Sequence, residues 1–348
     1  MRLAVVSNPG VVEIREAAVP KLRPGQLLIE THISGISAGT ELMVLDGTLP
    51  SVARGLVRYP LVPGYENVGR VVAAAPGVMG FREGGWVCSE GSPSFQGLQS
   101  CWGGHSEYVQ VEGKEAFPLP AGMAPETAVF TVLASIALHG IQRGRVRIGE
   151  TVAIFGQGAV GLLALQICRL AGAERLIAVD RLPSRLELAR QAGADDTVLV
   201  EGGDEAAVAR AADEIVRLTH GRGADLVVEV TGSPQVASAA VVACRERGRF
   251  LLLGMYPSPV RLDCWDLYTR ELEILSSRGA GPKEDLPLAY EPWTWRRTYE
   301  ESIRLLADGR LRVEGFVTHR FPPERIGDGY RALSKDPDHA LKVVIEWR

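Results

Sequence analysis

Hydrophobic and polar positions follow two different rhythms along this chain. From Met1 to about Gly122, short apolar stretches are interrupted by glycine and proline at frequent intervals. This pattern is typical of β-strands joined by tight turns. From about Thr131, short β-favouring runs alternate with longer helical patterns, which predicts a parallel, doubly wound sheet. The sequence therefore predicts an α/β protein whose first part is all β.

The alternating part has clear element boundaries. Its predicted strands are Val152–Phe155, Leu176–Asp180, Thr197–Val200, Leu226–Val230, Arg249–Leu253 and Leu272–Ser276. The helices predicted between them include Leu162–Leu170, Arg185–Ala192 and Glu205–Leu218. Beyond about Pro282 the pattern changes again, and it predicts helix Arg297–Ala307, strand Phe316–Phe321, helix Pro323–Leu333 and strand Ala340–Trp347.

A glycine-rich turn follows the first of these strands and indicates a dinucleotide site. Gly156 permits a tight turn, Gly158 lets the backbone approach a pyrophosphate, and Gly161 lets the next helix lie close to the strand. Asp180 ends the following strand, 19 residues after Gly161. That spacing is close to the roughly 20 residues expected for the acid that binds the ribose hydroxyls. An ordinary glycine turn in an α/β protein is the alternative interpretation.

Asp180 also bears on the choice of cofactor. A carboxylate accepts hydrogen bonds from a free 2′-hydroxyl and repels a 2′-phosphate, so NAD(H) is favoured over NADP(H). Arg181 is expected to pack over the adenine or to be solvated. The rest of the predicted cofactor site at and beyond the turn comprises Gln157, Ala159, Val160, Arg185, Thr231 and Gly254.

Composition narrows the class of protein. The content of 46% hydrophobic and 23% charged residues fits a globular protein. A net charge of −4 without a basic run argues against nucleic acid or a membrane surface as partner. No apolar stretch reaches the roughly 18 residues of a membrane span. The five cysteines are scattered and form no Cys-x-x-Cys pair, which favours a reducing, cytoplasmic location.

Several motifs together resemble the medium-chain dehydrogenase/reductase superfamily, in its zinc alcohol dehydrogenase-like group. They are Gly35-Ile-Ser-Ala-Gly-Thr-Glu41, Pro63-Gly-Tyr-Glu-Asn-Val-Gly69, Gly104-His-Ser-Glu-Tyr-Val109 and the glycine turn with Asp180. The resemblance implies a GroES-like β domain, residues 1–130 and 282–348, and a Rossmann NAD-binding domain, residues 131–281, with a cleft between them. It also implies that Lys342 reaches the cofactor pyrophosphate, with a solvated lysine as the alternative. Within the superfamily, the motifs are most similar to bacteriochlorophyllide-type and polyol dehydrogenases.

The chain departs from this family at the catalytic zinc. The family's three ligand positions correspond here to Ser37 (or Ala38), Tyr65 and Thr131, none of which is cysteine or histidine. Zinc prefers thiolate, imidazole and carboxylate ligands, so we predict that no catalytic zinc is bound. The competing hypothesis is an atypical zinc site built from Glu66, His105 and a water.

Without zinc, an alcohol dehydrogenase needs another group to handle the proton. Tyr65 takes the place of a ligand, and His105 aligns with a family position that lines the substrate pocket. We expect His105 or Tyr65 to handle the proton, with Thr40, Ser37 and Glu66 holding substrate hydroxyls or orienting the pair. The alternative is that His105 is only a pocket wall and Tyr65 a packed aromatic ring.

The sequence thus predicts a zinc-independent, NAD(H)-dependent oxidoreductase acting on a hydroxylated or cyclic small molecule, which it interconverts between secondary alcohol and ketone. The alternatives are an NAD(P)H-dependent quinone or enoyl reductase, a zinc enzyme with atypical ligands, and a nucleotide-binding protein without turnover. The resemblance also implies a homodimer or homotetramer formed through the edge strand Leu272–Ser276. The proline- and tryptophan-rich segment Gly281–Arg297 is expected to be either a lid or a subunit contact.

Overall fold

A computed structural model describes residues 1–281 and 293–348 of the chain. The chain divides into two compact units. The first comprises Met1–Val132 and Ile303–Arg348, and the second Leu133–Ser302. Most of the segment Gly281–Arg297, predicted to be a lid or a subunit contact, lies outside the described residues.

The elements are numbered in chain order. The strands are β1 Arg2–Asn8, β2 Val11–Glu16, β3 Gln26–Ile36, β4 Leu61–Val62, β5 Glu66–Ala74, β6 Trp86–Ser89, β7 Gln99–Ser100, β8 Tyr108–Glu112, β9 Ala116–Pro118, β10 Thr151–Phe155, β11 Arg175–Asp180, β12 Asp196–Leu199, β13 Ala224–Glu229, β14 Cys244–Leu252, β15 Glu273–Ser276, β16 Val317–Phe321 and β17 Lys342–Glu346. The helices are α1 Thr40–Asp46, α2 Pro50–Ala53, α3 Pro125–Ala128, α4 Thr131–Gly144, α5 Ala159–Leu170, α6 Pro183–Gln191, α7 Glu205–Leu218, α8 Pro234–Ala240, α9 Cys264–Thr269, α10 Trp295–Ala307 and α11 Ile326–Lys335. Among the described residues, none of these helices has the length and apolarity that crossing a membrane requires.

The first unit is built on β-sheets. A seven-stranded sheet has the order β16-β17-β3-β5-β6-β9, with β8 also paired to β3, and a four-stranded sheet has the order β2-β1-β4-β7. Strand β3 lies between β17 and β5, and its Gly35 pairs with Val344 on one side and Glu66 on the other. The last strand of the chain therefore lies beside an early one, and this juxtaposition organises the candidate site described below.

The prediction that the chain is all β as far as Gly122 is wrong in one place, where α1 and α2 interrupt the strands. Helix α1 has only seven residues, too few for a helical period to stand out in the sequence. It ends at Gly47, whose φ of 78° is the left-handed conformation common after helix ends. Its buried side chains, Glu41 and Val44, show that tertiary contacts stabilise it.

The second unit contains the predicted parallel, doubly wound sheet. Its six strands have the order β12-β11-β10-β13-β14-β15, and every neighbouring pair is parallel. The chain leaves β10 in one direction, through β11 and β12, and then returns to β13 on the other side. The carboxyl ends of β10 and β13 thus flank the switch point at which such sheets bind ligands.

Most predicted boundaries in this unit agree with the structure to within two residues. The exceptions are α5, which begins at Ala159 rather than at Leu162, and β14, which begins at Cys244 rather than at Arg249. Its pairing with β13 contains an irregularity between Ala224 and Leu226, so the residues before Arg249 form a bulged extension rather than a regular strand. Strand β15 lies at the edge of the sheet, as predicted for Leu272–Ser276.

Candidate functional site

The glycine turn of the second unit has the geometry that the sequence predicts. Gly156 has φ +98°, and a Cβ there would lie 2.8 Å from Thr231 Cγ2. At Gly161 a Cβ would lie 1.9 Å from the carbonyl oxygen of Gly156, so no larger residue fits without moving the backbone. At Gly158, which is exposed, a Cβ would meet no described atom within 4 Å. The middle glycine therefore borders open space in which a ligand can approach.

Helix α5 begins directly after this open position. Gly158 is its N-cap residue, and no side chain in the described part of the chain caps it. The amide groups of the first turn, which includes Ala159 and Val160, therefore point out of the helix without helical partners. Such amides, together with the helix dipole, bind phosphate groups.

Asp180 ties the glycine turn to the neighbouring strand. Its Oδ2 accepts a hydrogen bond of 2.6 Å from the amide of Gln157, and its Oδ1 accepts one of 2.9 Å from the amide of Leu182. Each carboxylate oxygen has a second lone pair, so both can still accept a ribose hydroxyl. The neighbouring Arg181 is exposed, whereas Arg185, on α6, is buried.

The opposite side of the switch point contains a buried acid that the sequence analysis missed. Glu229, the last residue of β13, accepts hydrogen bonds from the amides of Thr231 and Gly232. Thr231 is exposed beside Gly156, and Gly254 approaches Gly232 so closely that a Cβ on it would lie 2.4 Å from the amide nitrogen. An acid at the end of an apolar run was the available signal, because a carboxylate there must find donors when it is buried.

In the first unit, the structure brings Tyr65, Ser37 and Thr40 together. The phenol of Tyr65 donates a hydrogen bond of 2.6 Å to Ser37 Oγ, and both residues are buried. Burial, followed by the negative charge of Glu66, raises the pKa of Tyr65, and hydrogen bonds with Ser37 and Thr40 only partly oppose this. Tyr65 therefore remains a neutral phenol at physiological pH, suited to donating a hydrogen bond and poorly suited to accepting a proton.

His105 lies apart from this hydroxyl pair in the hydrogen-bond network. It is fully buried, with Nδ1 2.8 Å from Ser34 Oγ and Nε2 2.8 Å from Glu41 Oε2. Its ring also packs against Gly64, where a Cβ would lie 2.7 Å from the imidazole. Among the described residues no hydrogen bond joins His105 to Tyr65. The contacts therefore favour a fixed, supporting His105, and its predicted role in proton handling stays a prediction.

Glu41 is the group that links these two sets, and the sequence analysis used it only as part of a family motif. Its Oε1 accepts the amide of Ser37 at 2.9 Å, and its Oε2 accepts the phenol of Tyr330 at 2.8 Å in addition to contacting His105. Burial alone would raise the pKa of Glu41, but the attraction and hydrogen bonds of His105, Ser37 and Tyr330 lower it overall. Glu41 is thus an ionised anchor for the loop that carries Ser37.

Glu66 on β5 and Lys342 on β17 form a buried ion pair across β3, the strand that lies between them. Lys342 Nζ donates to Glu66 Oε2 at 2.5 Å and to the carbonyl of Ile36 at 3.0 Å. Gly35 makes room for the pair, because a Cβ there would lie 2.7 Å from Lys342 Cε. Burial raises the pKa of Glu66 to about 7, although the lysine lowers it.

These contacts revise the expectations for Lys342. Its side chain is only 1% exposed, so the alternative of a solvated lysine is wrong. Its ammonium group is held by Glu66 and Ile36, neither of which the sequence suggested. Contact with a cofactor pyrophosphate is not among its bonds and stays a prediction.

The side chains at the family's zinc positions do not suit that metal. Ser37 and Tyr65 offer neutral hydroxyls bonded to each other, and Thr131 is a third hydroxyl, buried in α4. The neighbouring carboxylate, Glu66, is already paired with the ammonium group of Lys342, which would repel a divalent metal ion. Within residues 1–281 and 293–348, no cluster of three or more histidine, cysteine, aspartate or glutamate side chains is arranged to hold a metal ion.

Comparison with known families agrees with the two units. Residues 23–121 match the family described as the alcohol dehydrogenase GroES-like domain. Residues 159–293 match the family described as zinc-binding dehydrogenase. Together the two matches span more than half of the chain.

Individual relatives match over nearly the full length. An alcohol dehydrogenase of Cupriavidus necator is 28% identical over 386 residues, covering 99% of this chain and 98% of the relative. The 2-desacetyl-2-hydroxyethyl bacteriochlorophyllide A dehydrogenase of Rhodobacter capsulatus is 28% identical over 349 residues, covering 100% of this chain and 98% of the relative. Among solved structures, the alcohol dehydrogenase TADH from Thermus sp. ATN1 superposes with a TM-score of 0.81 at 27% identity, covering 100% of both chains.

Proposed function

Because this chain belongs to the medium-chain dehydrogenase/reductase superfamily, we propose that it is an NAD(H)-dependent oxidoreductase that works without zinc. Its substrate is a hydroxylated or cyclic small molecule, which it interconverts between secondary alcohol and ketone. The observation that carries the proposal is the glycine turn, with Gly158 open, the first turn of α5 uncapped by described side chains and Asp180 at the end of β11.

The preference for NAD(H) rests on Asp180. Its carboxylate is fixed by two backbone amides, so it cannot swing aside to admit a negatively charged group. A free ribose hydroxyl would donate to it, whereas a 2′-phosphate would meet like charge. Arg181, exposed next to it, makes no hydrogen bond with Asp180 among the described contacts.

The chemistry of the first unit supports hydrogen bonding rather than metal coordination. When bound, the nicotinamide cofactor accepts or supplies the hydride. The Tyr65 phenol, neutral because its pKa is raised, has one proton, which it donates to Ser37 Oγ in this structure. It can polarise a carbonyl oxygen or hold an alcohol by turning that proton to the substrate, with the Ser37 hydroxyl then donating to the phenol oxygen. Ser37 orients that phenol, and Glu41 holds the backbone of Ser37. Lys342 keeps Glu66 in place beside them.

Two experiments test the proposal. Thermal shift with NADH and NADPH should show a larger rise in Tm with NADH, because a ligand that binds the folded state stabilises it by mass action. A stronger effect of NADPH would favour the quinone or enoyl reductase alternative. A screen of polyols, cyclitols and sugar derivatives, followed by NADH absorbance, then seeks the substrate.

With a substrate in hand, Tyr65→Phe should lower kcat by about 100-fold, the scale of losing one transition-state hydrogen-bond donor. Tyr59→Phe is the matched control, because it removes a phenol that donates to the Val44 carbonyl in the same unit. Equal activity of the two variants would contradict the role of Tyr65.

We also propose a cytoplasmic homo-oligomer. Four of the five cysteines are buried free thiols, which suits a reducing compartment. Strand β15 lies at the edge of its sheet, where backbone groups are available to a second copy. Sedimentation equilibrium of the purified protein measures the assembly, and a monomer at micromolar concentration would contradict it.

A further inference from the structure

The second unit contains a buried carboxylate that the proposed chemistry does not use. Glu229 ends β13, in the centre of the sheet, and its side chain is fully buried. In register it lies beside Phe155, the residue before the glycine turn, and beside Leu252, at the end of β14. It therefore occupies the carboxyl edge of the sheet, where the neighbouring connections that follow β10, β13 and β14 begin.

Both oxygens of this carboxylate are occupied. Oε1 accepts hydrogen bonds from the amide of Thr231, at 2.7 Å, and from its hydroxyl. Oε2 accepts hydrogen bonds from the amide of Gly232, at 3.2 Å, and from the phenol of Tyr256. One side chain thus joins the segment after β13 to the segment after β14.

The segments that follow β10, β13 and β14 pack so closely that their backbones leave no room for side chains between them. A Cβ on Gly232 would lie 2.4 Å from the carbonyl oxygen of Met255, and one on Gly254 would lie 2.4 Å from the amide of Gly232. A Cβ on Gly156 would lie 2.8 Å from Thr231 Cγ2. The backbones are therefore in direct contact, and a shift of Thr231 or Gly232 would displace the glycine turn as well.

Glu229 is a carboxylate that is costly to bury and that holds a donor at the exposed edge of the sheet. Burial raises the pKa of this carboxyl, so keeping it charged is costly, and hydrogen bonds from Thr231, Tyr256 and Gly232 only partly oppose the cost. The donors that Glu229 holds include Thr231, which is exposed at the ligand edge.

We propose that Glu229 is a positioning residue for the dinucleotide, acting through Thr231 and Gly232. Asp180 lies on the β11 side of the switch point, where it is proposed to hold one ribose of the dinucleotide. The other half of an extended dinucleotide then crosses toward β13 and β14. Glu229 fixes the backbone that this half meets and keeps it in register with Gly156. The inference rests on the proposed NAD(H) function.

The test is Glu229→Gln, with Asp225→Asn as the matched control. A glutamine offers only one acceptor oxygen, so its amide group must face either the Thr231 or the Gly232 amide, and neither of these can turn. Asp225 is 2% exposed on the same strand, near its other end, and accepts from Thr151, Arg222 and Arg245. Both substitutions therefore disturb a buried carboxylate in β13, but only one disturbs the ligand edge.

Isothermal titration with NADH, together with thermal unfolding, gives the readout. Glu229→Gln should weaken NADH binding by about tenfold, the scale of one lost hydrogen bond to a charged group, and raise KM for NAD more than it lowers kcat. Asp225→Asn should lower Tm but change NADH affinity by less than about twofold, since additivity holds for distant sites. Equal NADH affinity in the two variants at similar loss of Tm would overturn the inference.

A second pair of variants keeps the test decisive if Glu229→Gln fails to fold. Tyr256→Phe removes one donor to Glu229 and should weaken NADH binding by about threefold, whereas Tyr268→Phe, at a residue 76% exposed, should not. Unchanged affinity in Tyr256→Phe would then overturn the inference. Failure of the wild-type protein to bind NADH would instead refute the proposed function.

Discussion

The buried pair Glu66–Lys342 supports a quantitative prediction about the first unit. Glu66 is 0% exposed and Lys342 is 1% exposed, and their charged atoms lie 2.5 Å apart. Among the described residues, Glu66 Oε1 has no hydrogen-bond partner, so the lysine is the main compensation for this buried charge. Replacing either partner alone leaves a buried charge without its counter-ion.

The expected magnitudes follow from this geometry. Lys342→Met or Glu66→Met alone should lower the free energy of unfolding by about 3–5 kcal/mol, the usual cost of breaking a buried ion pair. The double variant should lose much less than the sum, because no charge is left buried, and replacing both partners by apolar residues is often neutral. The coupling free energy in the double-mutant cycle should therefore be at least about 3 kcal/mol.

Differential scanning calorimetry of the four proteins near pH 8 measures this cycle. At that pH Glu66 is ionised, because its pKa is about 7. The exposed pair Glu187–Arg190, with side chains 58% and 54% exposed, is the control and should show a coupling of about 0.5 kcal/mol or less. Additive effects of the two single substitutions near pH 8 would show that Glu66 and Lys342 do not stabilise each other.

Three further predictions concern cofactor binding and pH. Gly161→Ala should abolish measurable NADH binding in titration calorimetry, because its Cβ would lie 1.9 Å from the Gly156 carbonyl oxygen, and native affinity would contradict the packing described here. Asp180→Asn should narrow the preference for NADH over NADPH by about tenfold, since it removes the charge that repels a 2′-phosphate, and an unchanged ratio of the two dissociation constants would count against Asp180 as the discriminator. The raised pKa of Glu66 means that the folded state binds its proton more tightly than the unfolded chain, so its contribution to stability should decline from pH 4.5 to about 7. Tm measured across this range should fall less steeply in Glu66→Met than in the wild type, and identical slopes would contradict the shift.

The fold was largely predictable because its signals are local. The strands β10 to β13 and the helices between them have the apolar periodicity of buried elements, and the glycine turn requires its residues for steric reasons visible in the sequence. Helix α1 escaped prediction because seven residues do not establish a period and because its stability comes from burying Glu41 and Val44. The bulged start of β14 depends on its partner strand, which a sequence pattern does not show.

The candidate site was predictable only in part. Tyr65, Ser37 and Thr40 were identified through family positions, and the structure brings them together. The partners of His105, Glu66 and Lys342 come from segments far apart in the chain, such as β3 and β17, whose pairing no local pattern reveals. Glu41 and Glu229 were missed because their importance lies in the donors that surround them when buried, not in their residue type.

Turnover of the metal-depleted protein decides whether NAD(H) oxidoreduction proceeds here without zinc. The protein is dialysed against a strong chelator, its zinc content is measured by elemental analysis, and the reduction of NAD by a substrate from the polyol screen is followed by absorbance. We expect less than about 0.1 zinc per chain and an undiminished rate, since hydroxyl donors hold zinc weakly. Stoichiometric zinc whose removal abolishes turnover, with recovery on adding zinc back, would contradict this expectation.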